Sequence, residues 1–417
     1  MMKKFPKTIP LLQFTTGNLS SQDSREVDGF LTAESWLHEA KHATGIYMHI
    51  PFCFHKCHYC DFFSIANAED QQSAFIEAIL KEIKFVAPYL SHVQTIFIGG
   101  GTPTLLQKTL FKNLLQTIAE HIPLAEKYEW TVESNPETVT HDKANFMKSA
   151  GVNRVSIGAQ SFNEQLLEKL ERWHSPGNVK KSVDIYRKSG IENINLDLIY
   201  AIPTQTIADL KEDLRRAVEL KPKHLSCYAL TYEPNTPLAV RLKRGEVLRV
   251  NQDCEAEMFQ FVRSNLDSHG YAQYEISNFA QKGFECEHNL LYWNNKNWWP
   301  IGPAAAGHIK GLRWRNQPRL TNYLTKDSLP LIEDVEHIAR DRQLGETCML
   351  GLRMTNGLKK EIINQIIESS PKQWRKAVFE KYIDAGYLHW TKGSLAFTDT
   401  GLLFADTVIV DLLMQEP

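Results

Sequence analysis

From Gly45 onward, short apolar runs rich in β-branched residues alternate with longer stretches of helical periodicity. The runs are GIYMHI (45–50), TIFIGG (95–100), WTVESN (130–135), RVSIGA (154–159), NINLDLIYA (193–201) and HLSCYALT (224–231). Between the first two, Ile76, Ile79, Leu80, Ile83 and Leu90 fall at helical spacing, and Leu110, Phe111, Leu114, Leu115 and Ile118 repeat the pattern after the second. Further helices fit 163–171, 177–189 and 206–220. Six β-α units in succession predict an α/β fold with a parallel sheet covered by helices, either an open doubly wound sheet or a complete or partial β/α barrel.

Beyond Pro234 this rhythm weakens into an aromatic, Asn-rich region, CEHNLLYWNNKNWWPIGPAAAGHIKGLRWRN (286–316). It changes again toward the C-terminus, where helical patterns at 340–352 and 359–387 precede a β-hairpin and a helix in GYLHWTKGSLAFTDTGLLFADTVIVDLL. The expected division is an N-terminal extension (1–44), a β/α barrel (45–235), an accessory region (236–330) and a small helical domain with a β wing (331–417). A chain of 417 residues exceeds what one core usually fills, which agrees with several units.

A formal net charge of −2 exerts no general pull toward nucleic acid or anionic lipid. The apolar runs are too short and too often interrupted by charge for a membrane span of ~20 residues. At the N-terminus a proline-broken apolar run is followed by Asp23, Glu26 and Asp28, which argues against a secretory signal or transit peptide. The expected compartment is a reducing cytoplasm, where seven cysteines do not read as a disulfide framework.

Three of those cysteines, Cys53, Cys57 and Cys60, lie within CFHKCHYC just after the first predicted strand. A structural zinc site with His55 or His58 as fourth ligand is one reading, but no second CxxC or HxxxH pair follows. A thioredoxin-type pair at Cys57 and Cys60 is another, and it leaves Cys53 without a role. The third is a cubane iron-sulfur cluster held at three corners with one iron open to an outside ligand. Position adds weight to the third. Gly99, Gly100 and Gly101 end the second strand, Glu133 the third and Gln160 the fourth, while Asp197 lies in the fifth; parallel sheets and barrels gather ligands at these carboxyl ends. Each residue alone has a plainer reading: the glycines a turn, Glu133 a helix cap, Arg172 a solvated helix residue.

The run YMHIPFCFHKCHYCDF, followed in order by IGGGTPTLL (98–106), ESNPE (133–137), RVSIGAQSF (154–162), LERWH (170–174), NLDLIYAIPTQT (195–206) and YEISNFA (274–280), resembles the oxygen-independent coproporphyrinogen oxidase superfamily of radical S-adenosylmethionine (SAM) proteins. The resemblance covers nearly everything from Gly45 on. It implies a partial (β/α)6 radical SAM barrel with an accessory region and a small C-terminal winged-helix-like domain. It also implies a 4Fe-4S cluster on Cys53, Cys57 and Cys60, whose open iron takes the amino and carboxylate groups of SAM, an electron from the cluster then releasing a 5′-deoxyadenosyl radical. Tyr47 and Tyr59 match positions lining the cluster and cofactor. Gly100, Gly101 and Thr102 match the loop that approaches SAM, and Glu133, Gln160, Arg172 and Asp197 match its polar contacts.

Oxidases of that family extend the motif to CxxxCxxCxC, whereas here the last position is Phe62. This departure resembles the HemW-like paralogues regarded as haem chaperones, with haem as cargo and haem-requiring proteins as acceptors. His288, Tyr292 and Trp293 match their HNxxYW motif, which is implicated in haem handling, although a packed aromatic segment is the plainer alternative. The family's GPGAHG run is altered here to Gly302-Pro303-Ala304-Ala305-Ala306-Gly307-His308. The resemblance further implies an electron donor such as a flavodoxin or ferredoxin, and raises transient contact with membrane respiratory complexes and a homodimer as candidate assemblies. Nucleic acid is not an expected partner, because 402–417 carries Asp406, Asp411 and Glu416 and no Lys or Arg, leaving the C-terminal unit as a lid or protein-contact module. The alternative functions are a true coproporphyrinogen III oxidase and a zinc-binding scaffold.

Overall fold

The computed structural model describes residues 32–326 and 329–413. Its centre is a run of six parallel strands: β1 (Gly45–Ile50), β2 (Val93–Gly100), β3 (Leu124–Ser134), β4 (Arg154–Gln160), β5 (Asn193–Tyr200) and β6 (His224–Ala229). Parallel strands usually read as continuous apolar runs because both faces are buried. These alternate. Ile46, Met48, Ile96, Ile98, Trp130, Val132, Val155, Ile157, Ile194, Leu196 and Leu225 are all fully buried in the main apolar core. The intervening positions carry Tyr47, His49, Thr95, Glu129, Thr131, Glu133, Arg154, Ser156, Asn195, Asp197, His224 and Ser226. The period-2 pattern therefore separates an apolar outer face under the helices from a polar inner face.

The covering helices are α1 (Gln72–Val86), α2 (Lys108–His121), α3 (His141–Ala150), α4 (Glu164–Lys169), α5 (Pro176–Lys188) and α6 (Ile207–Glu219). Their starts are written locally: Thr140 Oγ1 accepts from Lys143 N, Asn163 Oδ1 from Gln165 N, and Thr206 with Asp209 forms a capping box. Helix α3 had no counterpart among the expected elements, since it buries only Ala144 and Met147 and shows little apolar stripe.

The sheet extends beyond the six central strands at both edges. On the β6 side it continues through β8 (Asn278–Ala280) to β7 (Ala272–Glu275), and on the β1 side through β9 (Trp298–Ile301), β10 (Ala306–Ile309), β11 (Leu312–Asn316) and β12 (Ile332–His337). Only β9 among these added strands runs parallel to its central neighbour, β1. The large sheet thus continues as far as His337. Two helices of the region after Pro234, α7 (Pro237–Lys243) and α8 (Gln252–Ser268), precede β7, and α9 (Glu287–Trp293) carries the HNLLYW segment.

A second apolar core follows, built on Cys348, Leu352, Ile363, Ile366, Leu388, Leu395 and Val408. Its helix Arg340–Leu352 has the expected bounds, but 359–387 divides into Lys360–Ser369 and Trp374–Asp384. Pro371 and the left-handed Lys372 and Gln373 break it. A hairpin of Leu388–Thr391 and Ser394–Phe397 pairs with Leu358–Lys359, giving the helical unit its β wing. Of the N-terminal extension, residues 1–31 lie outside the described residues; Ala33–His42 form a 3-10 turn whose Leu37 and Ala40 join the main core. Glu416 also lies outside them. No helix among the described residues is long and apolar enough to cross a membrane.

Candidate functional site

The cysteine loop leaves the end of β1 and is fastened to it at both ends. Pro51 O accepts from Ile65 N at 2.7 Å, Phe52–Cys53 pair with Ile65–Ala66, and the neutral His49 bonds Phe63 O through Nε2 at 2.7 Å and Tyr47 OH through Nδ1 at 3.0 Å. Burial holds His49 down to about 4, so it remains an uncharged clamp. Sequence reasoning missed His49, although a histidine two residues before the loop on an inward position was the available signal.

The second strand delivers its glycines against this loop. Gly101 N donates to Ile50 O at 2.8 Å and Thr102 N to Phe52 O at 2.7 Å. A Cβ on Gly101 would stand 2.6 Å from Phe52 O, and Gly100, at φ 103°, has the His49 ring where its side chain would be. The bare backbone edge is therefore required by the close approach. Thr102 Oγ1 reaches Cys53 Sγ at 3.8 Å, and Arg172 Nη1 reaches Cys57 Sγ at 3.8 Å while Nη2 donates to Gly158 O at 2.8 Å.

Three thiols on one partly buried loop fit the donor set of a cubane. Among the described residues no three His, Cys, Asp or Glu side chains are grouped to hold a single metal ion. Burial pushes the Cys60 thiol up to about 11 and raises Cys53 as well, so without a metal these groups keep their protons; bound iron would remove them. Arg172 Nε is buried and, among the described residues, has no hydrogen-bond partner, a donor left for a ligand's carboxylate.

Inside the barrel, Glu133 Oε2 accepts from Gly100 N at 3.2 Å. Burial, and next the charge of Asp197, push its carboxyl up to about 8. Burial raises Asp197 too, opposed by hydrogen bonds from Ser156 Oγ at 3.0 Å and Asn195 Nδ2 at 2.7 Å. The Arg154 charge tempers both carboxyls without reversing the effect of burial on either, and two buried carboxyls so placed suit the N–H and O–H donors of a cationic ligand. Gln160 sits at φ 63° at the end of β4 and accepts from Tyr228 OH at 3.4 Å. Tyr59 and Tyr47 are held un-ionised by burial. The fold thus brings Tyr47, Gly100, Gly101, Thr102, Glu133, Gln160, Arg172 and Asp197 to the rim beside the loop that carries Tyr59 and the cysteines.

The HNLLYW segment adjoins the same interior: Phe97 stacks on Tyr47 at 6.4 Å and on His288 at 5.3 Å, and Tyr292 feels the charge of Glu133. Helix α9 starts over Glu129, whose carboxylate accepts from Glu287 N at 3.0 Å, His288 N at 3.1 Å and Cys286 Sγ at 3.4 Å. His288 is 1% exposed, with Nδ1 at 2.8 Å from Thr95 Oγ1 and Nε2 at 2.8 Å from Tyr292 OH, and burial lowers it to about 3. Tyr292 meets Trp298 edge-on at 4.6 Å, and the Trp293 ring lies under Arg353 at 4.8 Å. A relay links this helix to the rim: Asp197 to Asn195 (2.7 Å), Asn195 Oδ1 to His224 Nδ1 (2.6 Å), His224 Nε2 to Tyr274 OH (2.8 Å), and Cys286 N donating to Tyr274 OH (3.3 Å). Asn195, His224, Tyr274 and Glu129 were not anticipated; their inward register on β3, β5 and β6, and position on β7, was the signal.

Glu129 also lies 3.9 Å from the buried Arg154. Glu129→Ala is expected to lower stability by about 3–5 kcal/mol, because it takes from the buried Arg154 the carboxylate 3.9 Å away and leaves the start of α9 uncapped. Thermal unfolding followed by circular dichroism checks this, with Glu129→Gln falling between it and the parent chain.

Comparison with known proteins agrees with this geometry. The Radical SAM superfamily model matches residues 47–217, and the HemN C-terminal domain model matches 338–404. The chain is 34% identical over 370 residues to "Heme chaperone HemW" of Lactococcus lactis, covering 89% of this chain and 97% of the relative. It is 35% identical over 368 residues to the Bacillus subtilis protein of that name (87% and 97%), and 40% identical over 268 residues to that of Escherichia coli (64% and 70%). Among solved structures, coproporphyrinogen III oxidase (HemN) from Escherichia coli superposes with a TM-score of 0.78 at 21% identity, over 91% of this chain and 92% of that one, a likeness of fold. A three-cysteine loop on a β/α barrel, matched along 97% of the length of the Lactococcus lactis and Bacillus subtilis relatives, places the chain in the HemW family of radical SAM proteins.

Proposed function

We propose that this protein is a haem chaperone: it binds haem and delivers it to haem-requiring proteins, dependent on a 4Fe-4S cluster and SAM. The observation that carries the reading is Phe62, 64% exposed where the oxidases of the superfamily place a fourth cysteine. The relatives named heme chaperones, at 34–40% identity, support it.

Cys53, Cys57 and Cys60 hold three corners of the cluster, which when bound supplies an electron to the sulfonium of SAM. Gly100, Gly101 and Thr102 turn their backbone edge toward that ligand, the two glycines being required by the His49 ring and the cysteine-loop backbone packed against them. Glu133 and Asp197 would accept hydrogen bonds from its amino and hydroxyl groups, and Arg172 would meet its carboxylate. The relay from Asp197 to Cys286 N gives cofactor occupancy a physical route to the helix of His288, Tyr292 and Trp293, the haem-handling segment of this reading. Haem-acceptor proteins and a flavodoxin- or ferredoxin-type electron donor are the partners it requires, in the cytoplasm; membrane respiratory complexes and a homodimer are assemblies it accommodates.

Anaerobically reconstituted protein is expected to bind haem stably and to leave coproporphyrinogen III unchanged in the presence of SAM and a reductant. Chromatographic detection of protoporphyrinogen would instead establish the oxidase, the second reading that the shared fold keeps in view.

A further inference from the structure

The helix of His288, Tyr292 and Trp293 rests on three inner-face residues that its sequence motif does not include. Gly45, Thr95 and Glu129 pair across β1, β2 and β3, with Gly45 opposite Thr95 and Thr95 opposite Glu129. They form one row beneath α9. Glu129 accepts from the first backbone N–H groups of the helix, and Thr95 Oγ1 bonds the His288 ring at Nδ1. Gly45 leaves room for both: a Cβ there would stand 2.6 Å from Leu291 Cδ1 and 2.7 Å from Thr95 Oγ1. We propose that Thr95 is a positioning residue for haem ligation, holding Nδ1 of His288 so that Nε2 is the nitrogen offered to the iron, and that the Tyr292 hydroxyl occupies that nitrogen until haem displaces it. The inference rests on the haem-carrier reading and names the residues that prepare its ligand.

The hydrogen bonds decide which nitrogen is offered. Burial keeps the imidazole uncharged, so it has one N–H and one lone pair for two hydroxyl neighbours, Thr95 Oγ1 and Tyr292 OH, each at 2.8 Å. A phenol is far more acidic than an aliphatic alcohol, which makes Tyr292 the stronger donor and pairs it with the lone pair. Tyr292 OH therefore donates to Nε2, and Nδ1–H donates to Thr95 Oγ1. This is the tautomer a metal-bound histidine needs, with the proton on the far nitrogen and a second group orienting the ring. Exchange then releases no proton: the hydroxyl leaves, and the iron takes the lone pair it vacates.

The two hydroxyls also differ in freedom. Thr95 is 3% exposed on a central strand, whereas Tyr292 is partly exposed one helical turn beyond His288. Its ring meets His288 and Trp298 edge-on, at 4.8 and 4.6 Å. Phe97, stacked on His288 at 5.3 Å, keeps the imidazole plane in place when Tyr292 turns away. Ligation through Nδ1 would instead put the iron against β2, where Thr95 stands.

The test uses the full chain, anaerobically loaded with its cluster, titrated with ferric haem and followed by the Soret band and by electron paramagnetic resonance. Thr95→Val keeps the shape and removes the hydroxyl, Thr95→Ser keeps the hydroxyl, and Tyr292→Phe keeps the ring. Thr95→Val is expected to weaken haem binding about 10–100-fold and to shift the imidazole signature, with Thr95→Ser close to the parent. Tyr292→Phe is expected to bind haem about 2–10-fold more tightly with the signature unchanged, since one hydrogen bond no longer has to be broken. Parent-like affinity and spectra in Thr95→Val, or Thr95→Ser as impaired as Thr95→Val, would overturn the positioning role. Tyr292→Phe binding haem no more tightly than the parent would overturn the exchange. An imidazole signature that survives in His288→Ala would overturn both and leave the carrier reading standing, whereas a parent that binds no haem would overturn that reading itself.

Discussion

Anaerobic reconstitution of Cys53→Ala, Cys57→Ala or Cys60→Ala is expected to yield protein with almost no iron or labile sulfide and no charge-transfer absorbance in the visible. A cubane attached at three corners has no thiolate to spare, and the loop places no fourth cysteine nearby, position 62 being phenylalanine. The other four cysteines provide the control. Cys227, Cys286 and Cys348 are buried, with burial pushing Cys286 and Cys348 up to about 12, and Cys254 lies on α8 in another part of the fold. Alanine at Cys254 should leave iron and sulfide unchanged. Loading should also depend on pH. Burial raises Cys53 and Cys60, so assembly expels protons and becomes more favourable as pH rises through the neutral range toward 9. About one zinc per chain with no sulfide, in the parent protein, would refute the three-corner reading.

Much of this site was legible in the chain because its residues obey two periodicities at once. The apolar positions of β1, β2, β4, β5 and β6 defined those strands almost to the residue, and the polar insertions in them marked the inner face. Glu133 and Asp197 stand out as charges inside β-rich runs. What the sequence concealed depends on contacts between distant segments. Glu129 and Arg154 become a pair because β3 and β4 pair with Thr131 opposite Arg154, and α9 begins above them only after the chain has crossed α8, β7 and β8. Helix α8 was missed because its buried stripe is narrow, Met258, Val262 and Leu266, among charged neighbours. The strand β3 begins at Leu124 rather than at residue 130 because its first half is partly exposed and carries Glu126 and Lys127 on the surface. For HNLLYW, the residue types left a packed aromatic segment and a haem-handling one both open, and the ring of His288, buried and stacked on Phe97 at 5.3 Å, bears out the packing.

Glu133→Gln is expected to abolish measurable SAM binding while making the ligand-free protein more stable at alkaline pH. Both effects come from one buried carboxyl. In the folded chain its protonation midpoint is raised from 4.5 to about 8, by burial first and by Asp197 second. The folded state therefore holds a proton that the unfolded state has released, and stability falls as pH climbs from about 4.5 to about 8, then stays low. At ~1.4 kcal/mol per pH unit of displacement, that span corresponds to a few kcal/mol at most. Glutamine keeps the shape and can still accept from Gly100 N, but carries no charge to desolvate. The gain in thermal midpoint over the parent should be absent near pH 4.5, grow with pH and level off above 8. Binding runs the other way, because a sulfonium cation with N–H and O–H donors favours the ionised carboxylate and an amide offers it no charge. Isothermal titration with SAM on cluster-loaded protein, beside melting curves from pH 4.5 to 9, measures both. A variant that binds SAM like the parent, or a stability gain that shrinks as pH rises, would remove Glu133 from the cofactor site.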